Sequence, residues 1–402
     1  MKFSYKAERD NQTYSGTMEA SDRFEVYKQV RAEGGVIISV TSDSKKKWSL
    51  RYWNTRLSTV KEHDKIVLAS NLAAMLGAGL PISRALSVVE RQAKNPKLKG
   101  IILEIRGDIQ KGGTFHESLA KFPGVFSKLF AAMVRAGEES GTLHEALTSV
   151  AEQLEQSYQL KKKIKGALIY PTIILVAIVG IGFLMMTKVV PTLAKTFKEV
   201  GAELPASTQA IINLSDFLVD NTLAAVVMIV LFVVSIYSIL RTEVGQRVRD
   251  KILLYTPLIS DLVKEINSAR TARTFASLLK AGVDIVTALK ITGEVVQNHY
   301  HKDVLKLAEK RVQKGESLSK VFMENENLYP PLMGEMISVG EETGSLGEML
   351  LRVADFYEGE VSQKTKDMST IIEPFLMLII GAAVGFFAIA MVGPIYSLSE
   401  AF

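Results

Sequence analysis

Apolar residues follow three different rhythms along this chain. From Phe3 to Val40 they alternate with polar ones in short runs, FSYKA and TYSGTMEA and then Val36 to Val40, with Asp10 and Asn11 between the first two. That period of two, broken by a helical stretch from a Ser21 cap to about Glu33, predicts a small ββαβ module over residues 1–41. From about Lys65 to Lys165, and again from about Ser268 to Lys366, the spacing is helical. Three further runs, about 167–187, 222–240 and 371–392, are apolar almost without interruption. Each reaches the roughly 20 residues needed to cross a bilayer. Their interiors hold no Lys, Arg, Asp or His, and Glu373 stands just inside one boundary beside Pro374. A charge at midspan would cost about 2.5 to 3.5 kcal/mol, so this composition is what a membrane anchor requires. Pro171 and Pro374 fall in the first turns of their runs, where a missing N–H is tolerated best.

The fold class that follows is mainly α, an integral membrane protein with three transmembrane helices, two helical bundles and the small N-terminal module. The boundaries read as the module to residue 41, a linker 42–60, a first bundle 61–165, spans at 166–187, 222–240 and 371–392, a loop 188–221, a second bundle 241–370 and a tail 393–402.

The bundles are copies of one unit. GEESGTL at Gly137 to Leu143 returns as GEETGSL at Gly340 to Leu346, 203 positions later. The same offset pairs Ala78-Gly79 with Ala281-Gly282, Lys111-Gly112 with Lys314-Gly315, Pro171 with Pro374 and Pro191 with Pro394. One register held over that distance marks a duplicated unit. Within the motif an apolar helical segment (Leu129, Met133; Leu332, Met336) runs into Gly-Glu-Glu, and Gly141 or Gly344 then supplies a position free to take positive φ. Thr142 or Ser345 follows, three residues before Glu145 or Glu348, the capping-box spacing that opens a new helix. Each copy therefore predicts a helical hairpin with a defined corner. Its acids, Glu138, Glu139, Glu341 and Glu342, either face a partner or a cation bridging two protomers, or solvate a tight turn. Similar spacing at Thr114 and Glu117 opens FHESLAKF.

Charge adds an orientation. The net charge of +5 on 402 residues is modest and clusters beside the spans, so nucleic acid is not the implied partner. Lys161, Lys162, Lys163 and Lys165 precede the first span; Arg241, Arg247, Arg249 and Lys251 follow the second; Arg352, Lys364 and Lys366 precede the third. The loop 188–221 has only Lys188, Lys195 and Lys198, and nothing basic follows residue 392. By the positive-inside rule both bundles and the N-terminus are cytoplasmic, while the loop and C-terminus face the other side. Lys45, Lys46, Lys47, Arg51 and Arg56, interleaved with Trp48, Tyr52 and Trp53, suit an anionic membrane surface, a partner groove or a solvated linker. The first residues, MKFSYKAERD, carry no apolar leader.

Reactive chemistry is hard to find. With no cysteine the chain has no disulfide or thiolate metal site. GDIQKGGT, Gly107 to Thr114, is the nearest approach to a phosphate loop and lacks the lysine that reaches the β and γ phosphates. His299 and His301 form an HxH pair in QNHYHKD, where a surface turn is favoured over zinc; His63, His116 and His144 sit in no motif. No catalytic signature stands out, and the expectation is a protein that is not an enzyme. A pore or transporter subunit is the alternative, disfavoured by the near absence of ionisable groups within the spans. Small residues in GIGF (180–183) and GAAVGFFAIA (381–390) suit close helix packing within or between chains.

Taken together, AGLPISRAL, KGGTFHESL, GEESGTL, LIYP and GAELPASTQ (201–209), with three spans in this order, resemble the type II secretion F-protein family over nearly the whole chain. The resemblance implies an inner-membrane assembly platform of a type IV pilus or type II secretion machine. Its implied partners are a hexameric cytoplasmic ATPase, pilin or pseudopilin subunits, inner-membrane alignment proteins and a second copy of itself. It brings no cofactor, a divalent cation at the acidic corners being the one left open. Carried over by position, the residues implied at the corners are Gly137, Glu138, Glu139, Gly141 and Leu143 with Gly340, Glu341, Glu342, Gly344 and Leu346.

Overall fold

The computed structural model describes residues 2–9, 12–19, 23–32, 35–42, 59–200, 206–257 and 259–400. The Ser21 cap, the Asp10-Asn11 turn, the basic aromatic stretch with Lys45 to Arg56, and residues 201–205 of GAELPASTQ lie outside these. At the start, β1 (Lys2–Arg9) pairs antiparallel with both β2 (Gln12–Glu19) and β3 (Val36–Ser42), giving the order β2-β1-β3. Helix α1 (Arg23–Ala32) connects β2 to β3, and Val30 on it and Ala7 on β1 are both fully buried.

The rest is helical and repeats itself. In the first copy α2 (Glu62–Gly77), α3 (Ile82–Gln92), α4 (Pro96–Gln110), α5 (Phe115–Ala120) and α6 (Lys128–Glu139) lead to the long α7 (Leu143–Leu184). The second runs α12 (Ile259–Lys280), α13 (Ile285–Val295), α14 (His299–Val312), α15 (Leu318–Met323), α16 (Pro331–Thr343) and α17 (Leu346–Glu400). After the first helix of each copy, helix starts obey the offset of the sequence because the same local signals recur: Asn95 caps α4 by accepting from Lys97 and Leu98 N–H, and Asn298 caps α14 by accepting from Tyr300 and His301 N–H. Among the described residues, the glycines with positive φ are Gly79, Gly112 and Gly141 and their counterparts Gly282, Gly315 and Gly344.

The two copies do not keep separate cores. A single cluster of buried side chains runs from Leu68 through Phe126, Phe130 and Met133 to Phe275, Phe322, Tyr329 and Tyr357. At the seam, Gln153 of α7 is 3% exposed; its Nε2 donates to Thr274 Oγ1 at 3.3 Å and its Oε1 accepts from Ser277 Oγ at 2.8 Å. Helix α12 is buried nearly all round, against α17, α7 and α13. Its small residues, Ser268, Ala269, Thr271, Ala272, Thr274 and Ala276, let neighbours approach from several sides, and this leaves it without an apolar stripe.

Among the described residues, three helices are long and apolar enough to cross a membrane: α7 and its continuation, α10 (Thr222–Arg241) and α17. The spans of the first and third do not begin their helices. Pro171 therefore sits deep inside α7 instead of in a first turn, where its ring removes one backbone bond; next to it Thr172 Oγ1 donates to Leu168 O at 2.6 Å. Ahead of Pro191 the helix widens into a π turn, Met185–Val189, in which Val190 N–H reaches back to Met185 O. That turn relieves the clash a proline makes with the carbonyl four residues earlier.

Residues 188–221, expected as a loop, are largely helical: α8 (Val190–Val200) continues from the π turn and α9 (Ala206–Asp220) folds back. Val190, Ala194, Ile211 and Ile212 pack together, with Phe387 of α17 against them, and Ser215 Oγ donates to Met186 O at 2.5 Å. The region has no apolar run of its own, and its helices instead bury one apolar face against each other. Helix α17 likewise continues through the expected tail to Glu400. Among the described residues nothing packs closely on the glycines of GIGF and GAAVGF, since a Cβ added at Gly180, Gly182, Gly381 or Gly385 would meet nothing within 4 Å.

Candidate functional site: the acidic corners and the foot of the long helices

At each corner the motif residues divide into distinct tasks. Gly137 brings α6 against α7 so closely that a Cβ there would lie 2.3 Å from Ala146 Cβ; at Gly340 it would lie 2.7 Å from Leu346 Cα. Gly141 (φ 75°) and Gly344 (φ 71°) then turn the chain through the left-handed region. Leu143 and Leu346 open α7 and α17, packed on or within the shared core. The capping box predicted at Thr142 is not formed. Thr142 makes no cap bond, and its hydroxyl meets Ser140 Oγ at 2.7 Å; Ser345 Oγ likewise meets Thr343 Oγ1 at 2.6 Å. Two hydroxyls bridging so short a turn satisfy each other before they reach the next helix.

The paired acids part company. Glu138 turns inward to the start of α5, where its Oε1 accepts from Phe115 N–H at 2.7 Å and its Oε2 from His116 N–H at 3.0 Å, with His116 Nδ1 at 2.7 Å from Oε2. Glu341 does the same for α15: Leu318 N–H at 2.6 Å, Ser319 N–H at 3.1 Å, and the hydroxyls of Ser317 and Ser319 at 2.6 and 2.7 Å. A helix start presents free N–H groups and a positive dipole end, which a carboxylate from a neighbouring helix satisfies. Thr114 also caps α5, through Glu117 N–H at 3.4 Å. The phosphate-loop-like Gly107 to Thr114 thus leads to a helix start whose anion position is already filled by Glu138. Glu139 and Glu342 point outward, held to Arg135 Nε at 2.7 Å and Ser338 Oγ at 3.3 Å. No group of three or more His, Asp or Glu gathers as a metal site among the described residues.

Burial alone would raise both inward carboxyls, but at Glu138 the amides of His116 and Phe115 and the His116 ring outweigh it. At Glu341 the Ser317 and Ser319 hydroxyls and the Leu318 and Ser319 amides do the same. Both carboxyls therefore sit below their ordinary value. A depressed folded pKa means the stability is complete above the unfolded glutamate range and is lost as pH falls through the folded pKa. Glu138→Gln is expected to cost about 1–3 kcal/mol at neutral pH, and the more exposed Glu341→Gln toward the low end of that range. Thermal unfolding in detergent between neutral and acid pH checks this. The variants should start lower and lose less on acidification; parallel losses in parent and variants would remove the cap assignment.

A second repeated feature lies where the long helices leave the core. Lys161 of α7 pairs with Glu62 of α2 at 2.6 Å, and at the offset positions Lys364 of α17 pairs with Glu265 of α12. Beside them Leu160, Leu262 and Val361 pack together with Ile164 and Ile266, joining both long helices to α12. Burial lowers Lys364, but Glu265 more than offsets this and holds it above its ordinary value. Sequence reading counted Lys161 and Lys364 only as topogenic charge; the shared register with Glu62 and Glu265 was the signal for the pairs. Arg273 of α12 adds a forked ion pair to Glu358, Nε–Oε1 2.9 Å and Nη2–Oε2 2.8 Å, and contacts Asp355.

The HxH pair is not a surface turn. Both histidines open α14: His299 N–H and Nδ1 lie 3.0 and 2.7 Å from Asp250 Oδ2, and His301 is fully buried with Nε2 3.0 Å from Leu328 O. Burial pushes the His301 ring down to about 4, keeping it neutral at physiological pH.

Comparison with known proteins agrees with this duplicated plan. The family model for the type II secretion system (T2SS), protein F, matches residues 68–191 and again residues 271–394. The chain is 33% identical to the type IV pilus assembly protein PilC of Thermus thermophilus over 401 residues, 98% of each chain. It is 30% identical to the type II secretion system protein F of Aeromonas hydrophila over 378 residues, covering 94% of this chain and 97% of that one. PilC of Pseudomonas aeruginosa is 32% identical over 342 residues, 85% of this chain and 91% of that one. Matched twice by the family model, at the same two stretches that repeat in its own sequence and structure, the chain belongs to the type II secretion system protein F family.

Proposed function

We propose that this protein is the inner-membrane platform of a type IV pilus or type II secretion machine. It couples a hexameric cytoplasmic ATPase to the assembly of pilin or pseudopilin subunits into a filament, beside inner-membrane alignment proteins and as a homodimer or higher oligomer. The observation that carries this reading is the continuity of α7 and α17 from the shared core into an apolar span, 42 and 55 residues of helix respectively. At 1.5 Å per residue these are rods of about 60 and 80 Å, fit to pass displacement from one side of a membrane to the other. Family membership supports the machine, and the Lys and Arg distribution supports cytoplasmic bundles with α8, α9 and the C-terminus on the periplasmic side. The chain acts in this account by binding other proteins and not by catalysis, and the N-terminal ββαβ module serves as a docking piece.

Glu139 and Glu342 are the acids of the corners that a partner or second protomer can reach. Purification of the tagged chain from native membranes is expected to bring down a secretion-type ATPase and pilin-like subunits. Charge reversal, Glu139→Lys with Glu342→Lys, should weaken recovery of the ATPase or of the second copy. Absence of both partner classes from the parent would end the platform reading; unchanged recovery with the variant would remove only the corners.

A further inference from the structure

Helix α11 (Glu243–Tyr255) follows the span α10 and carries an apolar face that nothing among the described residues covers. Val244, Val248, Ile252 and Tyr255 are 73, 51, 60 and 78% exposed. Their spacing of four, four and three places them in one stripe along three turns. The opposite side is held to the second bundle at Asp250, which is buried and binds Arg249 and the His299 amide and ring. The stripe is therefore held outward by the fold.

Its position relative to the membrane follows from the span. Twenty residues of α10 make about 30 Å of helix, the thickness of a hydrocarbon core. Arg241 closes it with its guanidinium 4.6 Å from the centre of the Tyr237 ring, a pair suited to the headgroup boundary. Thr242 is extended (ψ 154°), and a Cβ at Gly245 would lie 1.9 Å from Ile239 O, so the first turn of α11 rests against the last turn of the span. The chain has not left the boundary when the stripe begins. Arg247 and Lys251 stand three and seven positions after Val244, on the edge of the same face, and both are exposed.

We propose that α11 lies in the interface of the leaflet on the bundle side, its stripe at the acyl boundary and Arg241, Arg247 and Lys251 among anionic phospholipid headgroups. The helix would then fix the height and tilt of the second bundle over the membrane. This rests on α10 crossing a bilayer, so the test includes a site within that span.

Because the chain has no cysteine, single nitroxide labels can be placed in the full-length protein at Val248→Cys, Ile252→Cys, Leu231→Cys within α10, and Lys306→Cys on the exposed side of α14. In liposomes containing phosphatidylglycerol, relative accessibility to oxygen and to a water-soluble nickel chelate reads the depth of each. The expected order is Leu231 deep, Val248 and Ile252 shallow within lipid, and Lys306 aqueous. Aqueous readings at 248 and 252 with a deep Leu231 would overturn the proposal alone. An aqueous Leu231 would overturn the membrane reading beneath it. Oxidation of unlabelled Ile252→Cys to a disulfide dimer in high yield would assign the stripe to a second copy and also overturn it.

Discussion

A flexible Gly-Ser segment inserted after Lys165 is expected to leave membrane insertion and ATPase binding intact and to abolish filament growth. Lys165 lies in α7 just beyond the Lys161–Glu62 pair and the Leu160 cluster, after the last strong contact with the core and before the apolar run. An unbroken helix resists bending and twisting there, because each turn is bonded to the next. A Gly-Ser segment replaces that coupling with a random coil whose ends move independently. Seven helix-forming residues at the same place make the control. Seven residues turn the helix nearly two full turns, so the span keeps its facing to within about 20°. That variant should retain part of the filament yield, measured as surface or sheared filament per cell. Normal growth with the Gly-Ser insertion would show that force does not pass along α7.

The second large effect is expected at the corner glycines, and the two should answer differently to rescue. Gly137→Ala forces its new methyl into Ala146 Cβ at 2.3 Å, with Thr142 O and Leu143 Cα at 3.2 and 3.3 Å. Overpacking of this kind costs about 1–3 kcal/mol. Most of the obstruction is one methyl, so adding Ala146→Gly should recover part of the loss, a coupling that a double-mutant cycle measures. At Gly340 the obstruction is the Leu346 backbone itself, Cα at 2.7 Å, and no side-chain change removes it. Gly340→Ala should therefore be at least as costly and resist rescue by Leu346→Ala. Denaturant unfolding in detergent checks both. Equal stability of Gly340→Ala and the parent would mean that α16 and α17 part easily at this corner.

Much of the architecture is legible in the amino-acid sequence. The offset of 203 positions located both repeats, and the positive-φ glycines and asparagine caps follow it. Local interactions explain this success. Positive φ at Gly141, a cap at Asn95 and an apolar run long enough to cross a bilayer depend on a few neighbouring residues or on composition alone. Where two local solutions competed, reading failed. At Thr142 the box spacing was present, yet the hydroxyl found Ser140 first. Pro171 stands at the head of an apolar run and so resembles a helix opener, but the helix already begins at Leu143.

By itself, then, the sequence determined the duplication, the three apolar spans, the sharp corners and the family. Only the tertiary structure decided where the side chains spend their interactions. Glu138 and Glu139 are neighbours with the same chemistry, but one meets two backbone amides more than twenty residues away and the other meets solvent and Arg135. His299 and His301 found Asp250 and the Leu328 carbonyl in the same way, and the polar-looking α12 is buried on nearly every side. Charge and polarity are local properties, while the water available to them is set by what the chain brings back from far along its length.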